Sequence, residues 1–366
     1  PQSIEPLYQD FLNCLEDDSS TGINILGAQG GYIKTPRFEP GSQYMPFSSQ
    51  LDFLGTPVPY WYYISGNNIQ KEQVPSINEM EQQLEDYIES EIVKCDLTQR
   101  YDEGFEVELG EPKATVKISD SKVNVNLNLQ MGVKKGEDSA IIKSYQVEIN
   151  SRFGNFYNYA KKIYSSEKQN KFLENYGVDV LRLYAPVDGV EFSCSPKIWN
   201  QNDVKTKLVE ALEVNTQTIK INGDYYSLAS KENKYFVRDI GEDANDKNVN
   251  FIYSKYWPTK IDIYPNNDPM IAEPIGNQQG LGVLGFCYAS YHFVYDLAYP
   301  VLIQVYDEEE LFQFPVAVVI NKNLPIEGAI GEEVNPSENQ LCQYMNQEMD
   351  VSTYDNELQP VEANID

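Results

Sequence analysis

Histidine is nearly absent from this chain, with one residue, His292, among 366. A hydrolase built on a nucleophile and an imidazole base has a single candidate for that base, and histidine-rich metal sites are excluded. None of the five cysteines stands in a C-x-x-C unit, so zinc ribbons, iron–sulfur clusters and thioredoxin-like redox motifs are excluded too. Basic charge is scarce: 28 Lys and Arg face 56 Asp and Glu, leaving a formal −28 spread along the chain. A field of that sign repels phosphate backbones and anionic headgroups. It argues against nucleic acid and membrane-surface partners and leaves cations, basic partners or plain solubility as its use. Long apolar runs are missing as well, since Phe314 to Ile320 falls far short of the roughly 20 residues that cross a bilayer. The chain opens on Pro1 without an initiator Met, and we expect a processed or truncated product whose export signal or anchor lies upstream.

What is present is ample core material, 41% hydrophobic residues, for two or three domains. Ile4, Leu7, Phe11, Cys14 and Leu15 recur at helical spacing and predict a helix over Ser3 to Gly30, stopped by Gly30-Gly31. A loop follows that is too rich in proline (Pro36, Pro40, Pro46, Pro57, Pro59) to be a central strand. Its Tyr60, Trp61, Tyr62 and Tyr63 are either tied down onto the domain or form a ligand-binding surface for a sugar or peptide. Ser76 with Glu79 makes a capping box, and Ile77, Met80, Leu84, Tyr87, Ile88, Ile92 and Cys95 form one stripe of a second helix. If the first helix packs on that stripe, Cys14 meets Cys95. At this point buried thiols and disulfides are equally open for all the cysteines. From Phe105 the period changes to two. The alternation from Val123 to Met131, flanked by Ala114 to Ile118 and Ile141 to Ile149, predicts an antiparallel meander covered on one side. A third helix, Asn155 to Tyr176, is expected to end at Gly177, followed by a strand from Val180 to Tyr184 and a domain boundary at Ala185 to Gly189.

The second half reads as mostly β. A short helix over Asn202 to Glu213 precedes strands at Ile219 to Ile221, Tyr225 to Leu228, Tyr235 to Asp239, Val249 to Tyr253 and Lys260 to Tyr264. Asn222-Gly223 supplies a hairpin turn, and a long β run extends from Gly280 to Asn323. The fold class is α+β: N-terminal helices on an antiparallel meander (1–186), a mostly antiparallel β unit with a short helix (187–330), and a linker (331–366). His292 shares strand parity with Phe286, Tyr288 and Val294 and is expected to pack. Gly280-Leu281-Gly282-Val283-Leu284-Gly285 fits G-x-G-x-x-G in letters only, because it leads into a strand rather than from a strand into a helix. Asp239, Glu242, Asp243, Asn245 and Asp246 offer oxygen ligands for Ca²⁺ without the helix–loop–helix spacing, against the reading of an acidic turn. With 56 acidic residues, chance carboxylate pairs are inevitable, and none is nominated as catalytic.

Several segments carry a resemblance: GAQGGYI at Gly27 to Ile33, NFIYS at Asn250 to Ser254, YWPT at Tyr256 to Thr259, GLGVLGFCY at Gly280 to Tyr288, YHFVYD at Tyr291 to Asp296 and YPVLI at Tyr299 to Ile303. From about Ser3 to Pro325 the chain resembles a family of cell-surface proteins from small-genome archaea of the DPANN kind. The resemblance implies an N-terminal membrane helix as the only membrane attachment, a two-part ectodomain, β-sandwich domains downstream, and no established reaction. It implies an extracellular setting, in which Cys14 would pair with Cys95 and Cys194 with Cys287, leaving Cys342 without a partner. The tail from Leu341 to Ser352 would then open a further domain. Against this placement, no Asn lies in an unblocked sequon, since Asn335 precedes Pro336. The function expected is a non-enzymatic archaeal ectodomain with a structural, filament- or layer-forming, or adhesive role, its partners being other copies or other surface proteins. A ligand- or peptide-binding receptor is the alternative, and a secreted carboxylate-dependent hydrolase the third reading.

Overall fold

The capping box at Ser76 and Glu79 and the two-residue alternation after Phe105 both become structure. The computed structural model describes residues 4–223, 235–276 and 287–326, with two-residue strands at 353–354 and 360–361. The chain runs α1 (Glu5–Ala28), β1 (Gln50–Phe53), β2 (Thr56–Pro59), β3 (Tyr62–Ile64), β4 (Gln70–Glu72), α2 (Ile77–Glu91), a 3-10 turn (Ile92–Lys94) and α3 (Thr98–Asp102). There follow β5 (Glu106–Leu109), β6 (Lys113–Ile118), β7 (Lys122–Lys135), β8 (Asp138–Asn150), α4 (Phe153–Asn170) and α5 (Phe172–Tyr184). Next come β9 (Asp188–Glu191), β10 (Lys197–Trp199), α6 (Gln201–Thr216), β11 (Lys220–Ile221), β12 (Val237–Arg238), β13 (Asn248–Ile252) and β14 (Lys260–Tyr264). The last elements of this unit are β15 (Met270–Ala272), β16 (Pro274–Ile275), β17 (Tyr288–His292), β18 (Val294–Tyr306), β19 (Leu311–Asn321) and β20 (Leu324–Pro325). The architecture is α+β.

Two sheets organise the unit. In the meander, β7 is central: β5 and β6 pair with one side of it and β8 runs along the other. Val123, Val125, Leu127, Leu129, Met131 and Val133 of β7 all point into the core, as strict alternation requires. Tyr145 of β8 meets Tyr8 and Phe11 of α1. The larger sheet has the order β13-β18-β19-β3-β4, with β14 also on β18 and β20 on β19. Strand β19 is buried on both faces. Phe312, Phe314, Val316, Val318 and Ile320 join the core that the helices cover, while Ala317 and Val319 meet Met45, Phe47, Tyr60 and Tyr63.

Three expectations are corrected here. The boundary at 186/187 separates nothing, because residues 1–326 form one compact unit and residues 327–366 another; α4 and α5 from the first half pack on β19 from the second. The proline-rich loop does enter the sheet: β3 sits between β19 and β4, and its three residues avoid the prolines on either side. The third helix does not end at Gly177. It breaks at Lys171, whose backbone is left-handed (φ 50°), and α5 runs on through Val180 to Tyr184, expected as a strand. Gly177 serves close packing, since a Cβ there would stand 2.7 Å from the Tyr299 hydroxyl. β11 pairs with β12 in parallel. The strand expected at Tyr225 to Leu228 and the segment Leu341 to Ser352 lie outside the described residues.

Candidate functional site

Cysteines come first, because helix packing alone brings two of them together. Cys14 on α1 is bonded to Cys95 just after the 3-10 turn, with Cα atoms 5.9 Å apart across 81 residues. Cys194, past β9, is bonded to Cys287, just before β17, across 93 residues. β9 and β17 are themselves paired, so this second bond closes a contact the ladder already makes. Two such bonds suit an oxidising, extracellular setting. Cys342 lies outside the described residues, as do the Gly280–Gly285 run and Phe286.

The aromatic cluster is core. Tyr60, Trp61 and Tyr63 are each at most 1% exposed, so they present no open ligand surface. Trp61 stacks on Phe314 with ring centroids 4.0 Å apart, and its indole N–H donates to the Gly30 carbonyl at 2.9 Å. Tyr62 is half-buried, and its hydroxyl has no partner among the described residues.

The acidic loop is dismantled into single contacts. Asp246 binds Arg152, Glu242 binds Lys162, Asp243 accepts from Asn222, and Asp239 accepts the Gly241 amide. Asn245 takes the left-handed turn (φ 53°). Among the described residues no three His, Cys, Asp or Glu side chains converge to hold a metal, so the proposed Ca²⁺ set is not assembled. His292 does not pack either. It sits exposed at the end of β17, paired with Asp188 of β9.

Two constellations emerge that the sequence reading missed. The first is a buried carboxyl pair at the α4–α5 elbow. Glu167 is 5% exposed and Glu174 1%, and their side chains hydrogen-bond. Glu167 also accepts the Leu173 amide at 2.9 Å, while Glu174 Oε2 has no partner among the described residues. Among the described residues no ion pair reaches either carboxyl; the Lys171 charge favours an ionised Glu167 but is outweighed, and its Nζ lies 5.3 Å from the Tyr62 ring centroid. Burial, and then the adjoining Glu174, push the Glu167 carboxyl well above the usual carboxylate range. Glu167 therefore holds its proton beside Glu174. Being closed to solvent, the pair acts on the fold rather than on a substrate.

The second constellation is a glutamate ladder. Glu81, Glu85 and Glu89, one turn apart on α2, accept the amides of Ile118, Val116 and Ala114 at 2.9, 2.9 and 2.8 Å. These are the outward N–H groups of β6, on the side away from β7. Lys117 and Lys113 add ion pairs to Glu81 and Glu89. The helix thus occupies the place of a neighbouring strand, and that edge of the meander is closed. Among the described residues, the opposite edge, β8, has no such cover, nor has the four-residue β5.

Surface hollows add little chemistry. One, an open polar groove of about 960 Å³ between α4 and the 239–242 loop, is lined by amides, hydroxyls, Asp120, Lys161, Asp239 and the Lys162–Glu242 pair. Comparison with protein families, with curated proteins and with solved structures finds no match for this chain.

Proposed function

We propose that this chain is the non-enzymatic ectodomain of an archaeal cell-surface protein, with a structural, assembly or attachment role. The supporting observation is covalent: two disulfides tie a single compact unit, each closing a loop of more than 80 residues. Loops of that length contribute about 4 kcal/mol each by restricting the unfolded chain, and they persist only where thiols are not kept reduced. The sequence resemblance supplies the archaeal surface. The receptor alternative loses its aromatic platform, since Tyr60, Trp61 and Tyr63 are core.

Location and redox state are tested together. Antibody labelling of intact native cells should mark their exterior. Intact mass after alkylation in denaturant without reductant should show one reactive thiol, Cys342. Labelling confined to the cytoplasm, or four or more reactive thiols, would overturn the reading.

A further inference from the structure

The two edges of the meander are treated differently. On one side α2 caps β6 with three carboxylates. On the other, β8 runs for 13 residues with hydrogen-bonded pairing to β7 alone, and no backbone group of the described residues reaches its outer edge. A strand of that length presents about 44 Å of edge at roughly 3.4 Å per residue. Of the usual protections β8 has only a mid-strand irregularity opposite Asn128–Met131 and the exposed Lys143 beside it; it has no proline, and α1 covers its inner face rather than its rim. Ile141 stands 62% exposed on it. The edges of the larger sheet are short by comparison, with three residues in β4 and five in β13 and β14.

We infer that the free edge of β8 pairs antiparallel with β8 of a second copy of this chain, joining two four-stranded meanders into one continuous sheet. The inference specifies the assembly named under the proposed function and rests on that reading. Charge selects the occupant. In a chain of net −28, Ser139 to Val147 carries no acid and a single cation, Lys143. Antiparallel copies of this strip therefore set no carboxylate against another. Self-repulsion between copies is weakest along this strip. A two-fold axis through the joint satisfies both free edges at once. Because α2 caps β6 and β5 adds only four residues to the far edge, the assembly stops at two and does not extend into a fibre.

The whole chain should sediment as a dimer at tens of micromolar. A Ser144→Lys/Gln146→Lys variant places repelling charges on exposed positions of the strip and should sediment as a monomer with an unchanged melting temperature. Single cysteines at Ser144, Gln146 and Glu148, each in a Cys342→Ser background, should cross-link copies with a maximum at one position, as two-fold antiparallel pairing demands. A monomeric wild type, a double-lysine variant that stays dimeric, or open-ended polymers of the wild type would each overturn the inference. A monomer that still labels the cell exterior would sink the edge pairing and leave the ectodomain reading standing.

Discussion

Glu167 keeps a proton against Glu174 at the α4–α5 elbow, where burial and the neighbouring carboxyl outweigh the Lys171 charge that favours its ionised form. Tyr164 donates to Glu72 rather than to the pair, at 2.9 Å, and Lys168 is likewise paired with Glu72. Tyr299 is fully enclosed, and both burial and the nearby Glu174 push its phenol well above the usual range. The direction of the pH effect follows. With its pKa raised in the fold, Glu167 keeps a proton that the unfolded chain releases near pH 4.3, so the folded state binds more protons as pH rises above that value. Stability is full below the unfolded pKa and is lost as pH rises through the folded one. In urea titrations from pH 4 to 8, the wild-type midpoint should therefore fall more steeply than that of a Glu167→Gln/Glu174→Gln variant, which keeps an acceptor for the Leu173 amide and has nothing to ionise. Equal slopes would show that the pair does not titrate.

The glutamate ladder makes α2 part of a sheet. A hydrogen bond from a backbone amide to a carboxylate contributes about 1.5–3 kcal/mol, so Glu85→Ala, which orphans the Val116 amide beneath the helix, should lower stability by about 1–3 kcal/mol. Glu85→Gln should recover most of the loss, because its amide oxygen still accepts. If alanine and glutamine cost the same, measured by urea unfolding, the rung is not the source. Nothing in the helix sequence announces this use, since Glu81, Glu85 and Glu89 read as the wet side of an amphipathic helix. By contrast, its capping box was legible: the Ser76 side chain accepts the Glu79 amide and Glu79 accepts the Ser76 amide. The alternation of β7 was equally plain, because a half-buried strand writes its burial directly into its residues. The α4–α5 break was not, because the chain turns at a lysine in a left-handed conformation while the conspicuous Gly177 serves packing. The proline-rich loop, expected to stay out of the sheet, misled for a related reason. Three residues of strand wedged between prolines leave too short a pattern to read, and their burial depends on β19, some 250 residues further on.

At the scale of the whole molecule, 28 excess negative charges oppose any contact between copies. The screening length shrinks from about 10 Å at 0.1 M salt to about 3 Å at 1 M. Sodium chloride should therefore strengthen self-association, and sedimentation at 0.05 and 0.5 M should show the dimer fraction rising. A fraction that falls with salt would mean that ion pairs, rather than backbone pairing, hold the copies together. Why one edge is capped and the other left open follows from two mismatched rulers. A helix offers a side chain on one face every four residues, about 6.0 Å, whereas a strand offers an outward amide every two, about 6.8 Å. The scales drift apart like a vernier, by about 1.6 Å over three rungs. The ladder stops where this arithmetic and the sequence agree: the next rung would set Val93 against Pro112, which has no N–H to satisfy. One straight helix can shield a six-residue strand such as β6, but over the 13 residues of β8 the same device falls out of step, and the matching ruler for an edge that long is another strand.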